Sequence, residues 1–164
     1  MAIVLTGIAV VAGAALGYVN SITAPTIEAL KVQQEKEAEQ EVLNGQEGSA
    51  IKITDPKGFG GALTVMVGLA KDGTILGYKV LESSETPGLG AKAQDWFQKD
   101  QKGDIIGKQA GKLEVSKDGG EVDAITASTI TSRAFLRCIN AAYKTLSEND
   151  AQSGASPQAK PNNN

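Results

Sequence analysis

The chain has 164 residues, a formal net charge of −3, an aromatic fraction of 4%, one cysteine and no histidine. That length suits one domain with a modest core, with some chain left outside it. The composition argues against a Ser-His-Asp hydrolase, against a zinc or iron-sulfur centre held by this chain alone and against an intrachain disulfide. Without a basic stripe interleaved with aromatic residues, it also argues against a nucleic-acid partner.

Residues 1–27 contain no Asp, Glu, Lys or Arg, and Ile3 through Val19 are almost all apolar or small. About 20 residues of helix cross a bilayer core, so the stretch from Ala2 to Ala24 predicts a single transmembrane helix within residues 1–26. Gly7, Gly13 and Gly17, with the alanines between them, suit packing against other transmembrane helices. A cleaved secretory signal is the competing reading of such an opening. No basic residue precedes the run, so charge bias gives little support for its orientation.

Residues 27–48 read as a polar stalk helix, with Ile27, Leu30, Ala38, Val42 and Leu43 as its apolar members and Gly45 and Gly48 ending it. A domain is expected over 49–148. Leu63, Val65, Val67 and Leu69 alternate with Thr64, Met66, Gly68 and Ala70, which is strand periodicity; Asp72-Gly73 supplies a hairpin turn into a second strand from Ile75 to Leu81. Lys108 to Val115 is expected to add a strand, and Thr131 to Leu146 a helix with Phe135, Ile139, Ala142 and Leu146 as its buried stripe. Cys138 lies near that stripe and reads as a buried thiol. Trp96 and Phe97 read first as core residues and second as contacts for a planar ligand or partner. The fold class is α+β, with a curved antiparallel sheet and packed helices. Residues 149–164, poor in large apolar side chains, predict a disordered tail.

Two segments stand apart. Glu85-Thr86-Pro87-Gly88-Leu89-Gly90-Ala91-Lys92 is on its own an ordinary Pro-Gly turn, although its glycines let a ligand approach the backbone. Asp123-Ala124-Ile125-Thr126-Ala127-Ser128-Thr129-Ile130-Thr131-Ser132 gathers hydroxyls and small residues before an apolar helix. Such a helix start binds phosphate through free N–H groups, or is simply capped by its own Ser and Thr.

The second segment resembles the Asp-x-x-Ser/Thr-Gly-Ala-Thr-x-Thr signature of the covalent-flavin subunits of membrane electron-transport complexes, the RnfG type and its relative NqrC. Glu-Thr-Pro-Gly-Leu-Gly at 85–90 is similar to a second hallmark of that family. The apolar opening and Thr23-Ala24-Pro25 extend the likeness over nearly the whole chain except the tail.

The resemblance implies an FMN-binding domain on a single-pass membrane anchor, facing away from the cytoplasm. It implies an electron-transfer subunit of an ion-translocating ferredoxin:NAD oxidoreductase (Rnf) complex, partnered by that complex's other membrane and redox subunits. FMN is expected on Thr129 through its phosphate, with Asp123 read by a magnesium-dependent flavin transferase that draws on FAD. Thr126, Ala127, Ser128, Thr131, Ser132, Glu85, Thr86, Gly88, Leu89, Gly90 and Lys92 are the other expected FMN-binding residues. Ala127 replaces the usual Gly, so the loop is expected to hold it at negative φ for attachment to work, and Ser128, in place of Ala, offers a competing hydroxyl. A cofactor-free, membrane-tethered binding or assembly protein is the rival reading, with Ala127 its best support.

Overall fold

The computed structural model describes residues 2–153. The first element, α1 (Ala2–Leu43), is one continuous helix that runs from the apolar opening into the polar stalk. It is long and apolar enough over its first half to cross a membrane. Pro25 lies inside it, where its ring removes one backbone donor; the nearby hydroxyls of Ser21 and Thr23 donate to the Tyr18 and Val19 carbonyls, at 2.8 and 2.9 Å. The chain divides into two compact units, one ending at Glu37 and the other beginning at Ala38. Asn44 and Gly45, both at positive φ, stop the helix in a left-handed cap.

In the second unit, β1 (Ser49–Asp55), β2 (Leu63–Leu69) and β3 (Ile75–Ser83) form an antiparallel sheet in that order. The β2–β3 hairpin matches the sequence expectation. The strand β1 was not anticipated; Ile51 and Ile53 pair with Val67 and Val65. Register shifts at Thr64/Val65 and Gly68/Leu69 interrupt the ladder, the kind of irregularity that bends a sheet. Central β2 is buried on both faces. Its odd-numbered residues join the main core, while Met66 packs with Ala38 and Val42 from the last turns of α1. Gly68 and Gly77 seat that helix end: a methyl on either would meet the Val42 carbonyl, at 2.3 and 2.8 Å.

After β3 come a short helix, α2 (Ala93–Trp96), a 3-10 turn (Ser116–Asp118) and the long helix α3 (Thr129–Ser153). The α3 stripe of Phe135, Ile139, Ala142 and Leu146 is buried as expected. Phe135 stacks on Phe97 at 4.4 Å between ring centres and meets Tyr78 edge-on at 4.7 Å. The Tyr78 hydroxyl donates to the Ala93 carbonyl and accepts from Phe97 N–H, and burial holds its pKa far above the ordinary value. Cys138 is buried, and desolvation pushes its thiol up to about 12. Phe97 lies in the core and Trp96 packs partly against it, the Trp96 indole N–H bonding the Asp123 carbonyl at 2.8 Å.

Two expectations need correction. Lys108–Val115 does not form a strand; only single bridges, Thr74 to Gln109 and Val115 to Val122, touch it. Three of its backbone groups go to a side chain: Asn140 Oδ1 accepts from the N–H groups of Gly111 and Leu113, and its Nδ2 donates to the Leu113 carbonyl, while Ala110 N–H bonds the Gly73 carbonyl and the Lys108 carbonyl accepts from Ile75 N–H. At the other end, α3 continues to Ser153, so residues 149–153 of the expected disordered tail are helical; the rest of that tail lies outside the described residues.

Candidate functional site

A cleft of about 320 Å³ opens between three loops of the second unit: the turn before β2, the segment after β3 and the start of α3. Phe59, Glu85, Thr86, Leu89, Gly90, Ala127, Ser128, Thr129 and Ile130 line it. Phe59, Leu89 and Ile130 are 69%, 42% and 49% exposed. Among the described residues from Ala38 onward, they are the large apolar side chains left in water. Three such side chains around one cleft suit an apolar, planar ligand.

Glu85 fixes one wall. It is only 8% exposed, yet its carboxylate is satisfied: Oε1 accepts from Phe59 N–H at 2.7 Å and Oε2 from the Thr131 hydroxyl at 2.9 Å. One side chain at the end of β3 thereby ties the Phe59 loop to the first turn of α3. Pro87 and Gly88 occupy the centre of a turn closed by Leu89 N–H to the Thr86 carbonyl, 3.1 Å, with Gly88 at φ 79°. The turn brings Leu89 to the cleft. Gly90 passes so close to Glu85 that a methyl there would meet Oε2 at 2.4 Å and Thr131 Oγ1 at 2.8 Å.

The opposite wall is the entry to α3. Ser128 N–H bonds the Ile125 carbonyl at 3.0 Å, closing a turn around Thr126 and Ala127. The Ser132 hydroxyl reaches back, accepting from Ile125 N–H at 2.9 Å and donating to the Ser128 carbonyl at 3.0 Å. Ala127 has φ 61°, contrary to the expected negative value. The tight turn into α3 needs a left-handed residue there; alanine adopts it at a cost of about 1–2 kcal/mol that glycine avoids. The position where the resemblance places Gly is therefore a left-handed one in this chain.

Thr129, half-buried, is the first residue of α3, where the leading N–H groups lack intrahelical partners. No acidic residue of α3 itself occupies the first turn; the carboxylate that reaches that turn is Glu85, through the Thr131 hydroxyl. Lys117 Nζ donates to Thr129 Oγ1 at 3.2 Å. Its neighbour Asp118 is held by Arg133 through two bonds of 2.6 and 2.7 Å, and the guanidinium keeps the Asp118 carboxyl below its ordinary pKa.

The cleft thus gathers Glu85, Thr86, Leu89, Gly90, Ala127, Ser128 and Thr129 from the expected residues. Thr131 and Ser132 lie buried behind it, with hydroxyls engaged by Glu85 and Ile125. Gly88, Lys92 and Thr126 are exposed and do not line it. Asp123 is exposed, its carboxylate accepting from the Ser116 hydroxyl at 3.3 Å. Sequence reading missed Phe59, Ile130 and Lys117. Ile130 sat inside the quoted motif as its variable position; Phe59 and Lys117 carry no local signal, since only the fold brings them to the cleft.

The FMN-binding domain family matches residues 58–144, a span that contains every residue of the cleft. The G subunit of the ion-translocating oxidoreductase complex of Vibrio atlanticus is 35% identical over 143 residues, covering 84% of this chain and 68% of that protein. The G subunit of the Na(+)-translocating ferredoxin:NAD(+) oxidoreductase complex of Acetobacterium woodii is 32% identical, covering 90% of this chain and 92% of the relative. The likeness to the corresponding Shewanella piezotolerans protein, 36% over 97 residues, spans 57% of this chain and 46% of that relative. A family match over more than half the chain, with relatives aligned along most of its length, shows that the chain belongs to the FMN-binding domain family that includes the G subunits of ion-translocating oxidoreductase complexes.

Proposed function

We propose that the chain is an electron-carrying subunit of an Rnf-type ion-translocating ferredoxin:NAD oxidoreductase complex, working beside the complex's other membrane and redox subunits. In this reading α1 anchors it in the cell membrane, the domain faces away from the cytoplasm, and FMN is held by a phosphodiester on Thr129. The observation that carries the proposal is the meeting of Thr129, at the first residue of a long helix, with Phe59, Leu89 and Ile130 in one cleft.

The residues fit such a cofactor. Exposed apolar side chains suit the ring, the absent side chain at Gly90 lets its backbone close against Glu85 and Thr131, and Thr129 presents its oxygen where helix N–H groups and Lys117 favour an anion. FMN bound there supplies reversible electron transfer. Leu89, Ile130 and Phe59 exclude water from the ring, Thr86 and Ser128 offer hydroxyls, and Thr131 and Ser132 hold the walls from behind. Exposed Asp123 is accessible for recognition by a flavin transferase. Attachment joins Thr129 Oγ1 to the FMN phosphorus of FAD as the pyrophosphate P–O bond breaks, releasing AMP and the hydroxyl proton.

A cofactor-free binding protein is the second reading, and Ala127 was its support. At φ 61°, Ala127 makes the turn that glycine would, so that support is weaker than the sequence alone suggested. Peptide mass spectrometry after coexpression with a flavin transferase tests the proposal: an FMN-sized addition on Thr129 is expected. Attachment on Ser128 would overturn the residue assignment. No addition at either site, with a control protein modified, would favour the cofactor-free reading. Protease accessibility in oriented vesicles tests the membrane side, with cleavage of the domain from the extracytoplasmic face expected.

A further inference from the structure

Building on the reading of Thr129 as the attachment point, we propose that Lys117 is the positioning residue for the flavin phosphate, holding the Thr129 hydroxyl before attachment and neutralising the phosphodiester afterwards. The ammonium lies 3.2 Å from Thr129 Oγ1, twelve residues away in sequence. The phosphorus must bond that same oxygen, so the new negative charge forms beside Nζ.

Lys117 is carried on a braced turn. The Ser116 hydroxyl bonds Asp123 on one side, and Asp118 makes its two-fold bond to Arg133 of α3 on the other. Gly119, at φ 92°, turns the chain out of the 3-10 segment, and a methyl on Gly120 would meet the Glu114 carbonyl at 2.1 Å. The turn therefore has little freedom to carry Lys117 elsewhere.

Charge placement supports the same role. Arg133 occupies the adjacent carboxylate, Asp118, and among the described residues no carboxylate forms an ion pair with Lys117. The first turn of α3 has no acid either. Glu85, the carboxylate lining the cleft, is buried and already accepts from Phe59 N–H and Thr131. An ammonium without an ion-pair partner and the start of a long helix thus meet at one hydroxyl, a combination matched to a phosphate diester monoanion. As a purely structural bond this contact would matter little, because Lys117 is exposed and a single such interaction is weakly stabilising.

The test follows attachment to the full-length membrane protein by a flavin transferase with FAD, using intact mass against time. Lys117→Gln should lower the transferase's kcat on this protein about tenfold, the scale of one charge-assisted hydrogen bond, with an unchanged melting temperature. Lys117→Arg should retain most of the rate, and raised salt should narrow the gap between wild type and Lys117→Gln. Attachment to Lys117→Gln at the wild-type rate would overturn the proposal. So would a raised KM for the protein substrate with kcat intact, since Lys117 would then be a docking contact for the transferase. If the wild-type chain itself gains no FMN while a control protein does, the Thr129 reading falls and the Lys117 role with it.

Discussion

The two walls of the cleft are held by different physics. The Glu85 wall is fixed from within, by a buried carboxylate whose partners come from two distant segments. The α3 wall is fixed locally, by the hydroxyl of Ser132 folded back on its own turn and by an exposed ion pair between Asp118 and Arg133. Burial makes the first wall costly to disturb, because a stranded buried donor loses its water as well as its partner. The second wall gives up some rigidity and leaves the half-buried Thr129 hydroxyl at a helix start on the cleft, where attachment is proposed. Under the proposed function, the interior wall shapes the ring site and the exposed wall carries the attachment chemistry.

The largest stability effect is expected on the first wall. Glu85→Ala leaves Phe59 N–H and the Thr131 hydroxyl without their acceptor and should destabilise the domain by about 2–3 kcal/mol in denaturant unfolding. Glu85→Gln should cost less, since the Thr131 hydroxyl can turn to accept from the new amide. Equal losses would mean that the charge, and not the hydrogen bonds, holds the wall. On the second wall, Ser132→Ala strands the Ile125 N–H and should cost about 1–2 kcal/mol by the same assay.

A smaller effect, of opposite sign, is expected at Ala127. Ala127→Gly should stabilise the domain by about 1 kcal/mol, because relief of left-handed strain exceeds the added freedom of the unfolded chain. Destabilisation would show that Ala127 is not left-handed in solution. The smallest stability effect belongs to Arg133→Ala. Its pair with Asp118 is solvent-exposed, so the melting temperature should not move, while flavin attachment slows because the Lys117 turn loses a brace. A large drop in melting temperature would place that pair with the interior wall.

Much of the scaffold was legible where backbone groups pair in regular ladders. Alternation from Leu63 to Leu69, the Asp72-Gly73 turn and the α3 stripe all carry their burial in their spacing. Ile51 and Ile53 alternate with Lys52 and Thr54 in the same way, but only two apolar residues carry the pattern, too short a run to stand out from the preceding polar and glycine-rich segment. Lys108–Val115 differs: only Leu113 and Val115 alternate with polar neighbours, and Asn140, far along the chain, takes the hydrogen bonds of Gly111 and Leu113 that a ladder would need. The site divides in the same way. Both motif segments were visible as local runs, and they supply most of the cleft. Phe59 and Lys117 were not, since their roles depend on tertiary placement, and the φ of Ala127 was misread because the substitution hid the conformation that the turn requires.

Intact mass of the wild-type chain and of Thr129→Ala, each coexpressed with a flavin transferase active on a control protein, tests the central claim most directly. The account predicts one added FMN on the wild type. It predicts none on Thr129→Ala, with matching melting temperatures before attachment, since alanine removes the bonding oxygen and little of the packing. An unmodified wild type, or an FMN still covalently present on a folded Thr129→Ala, would contradict it.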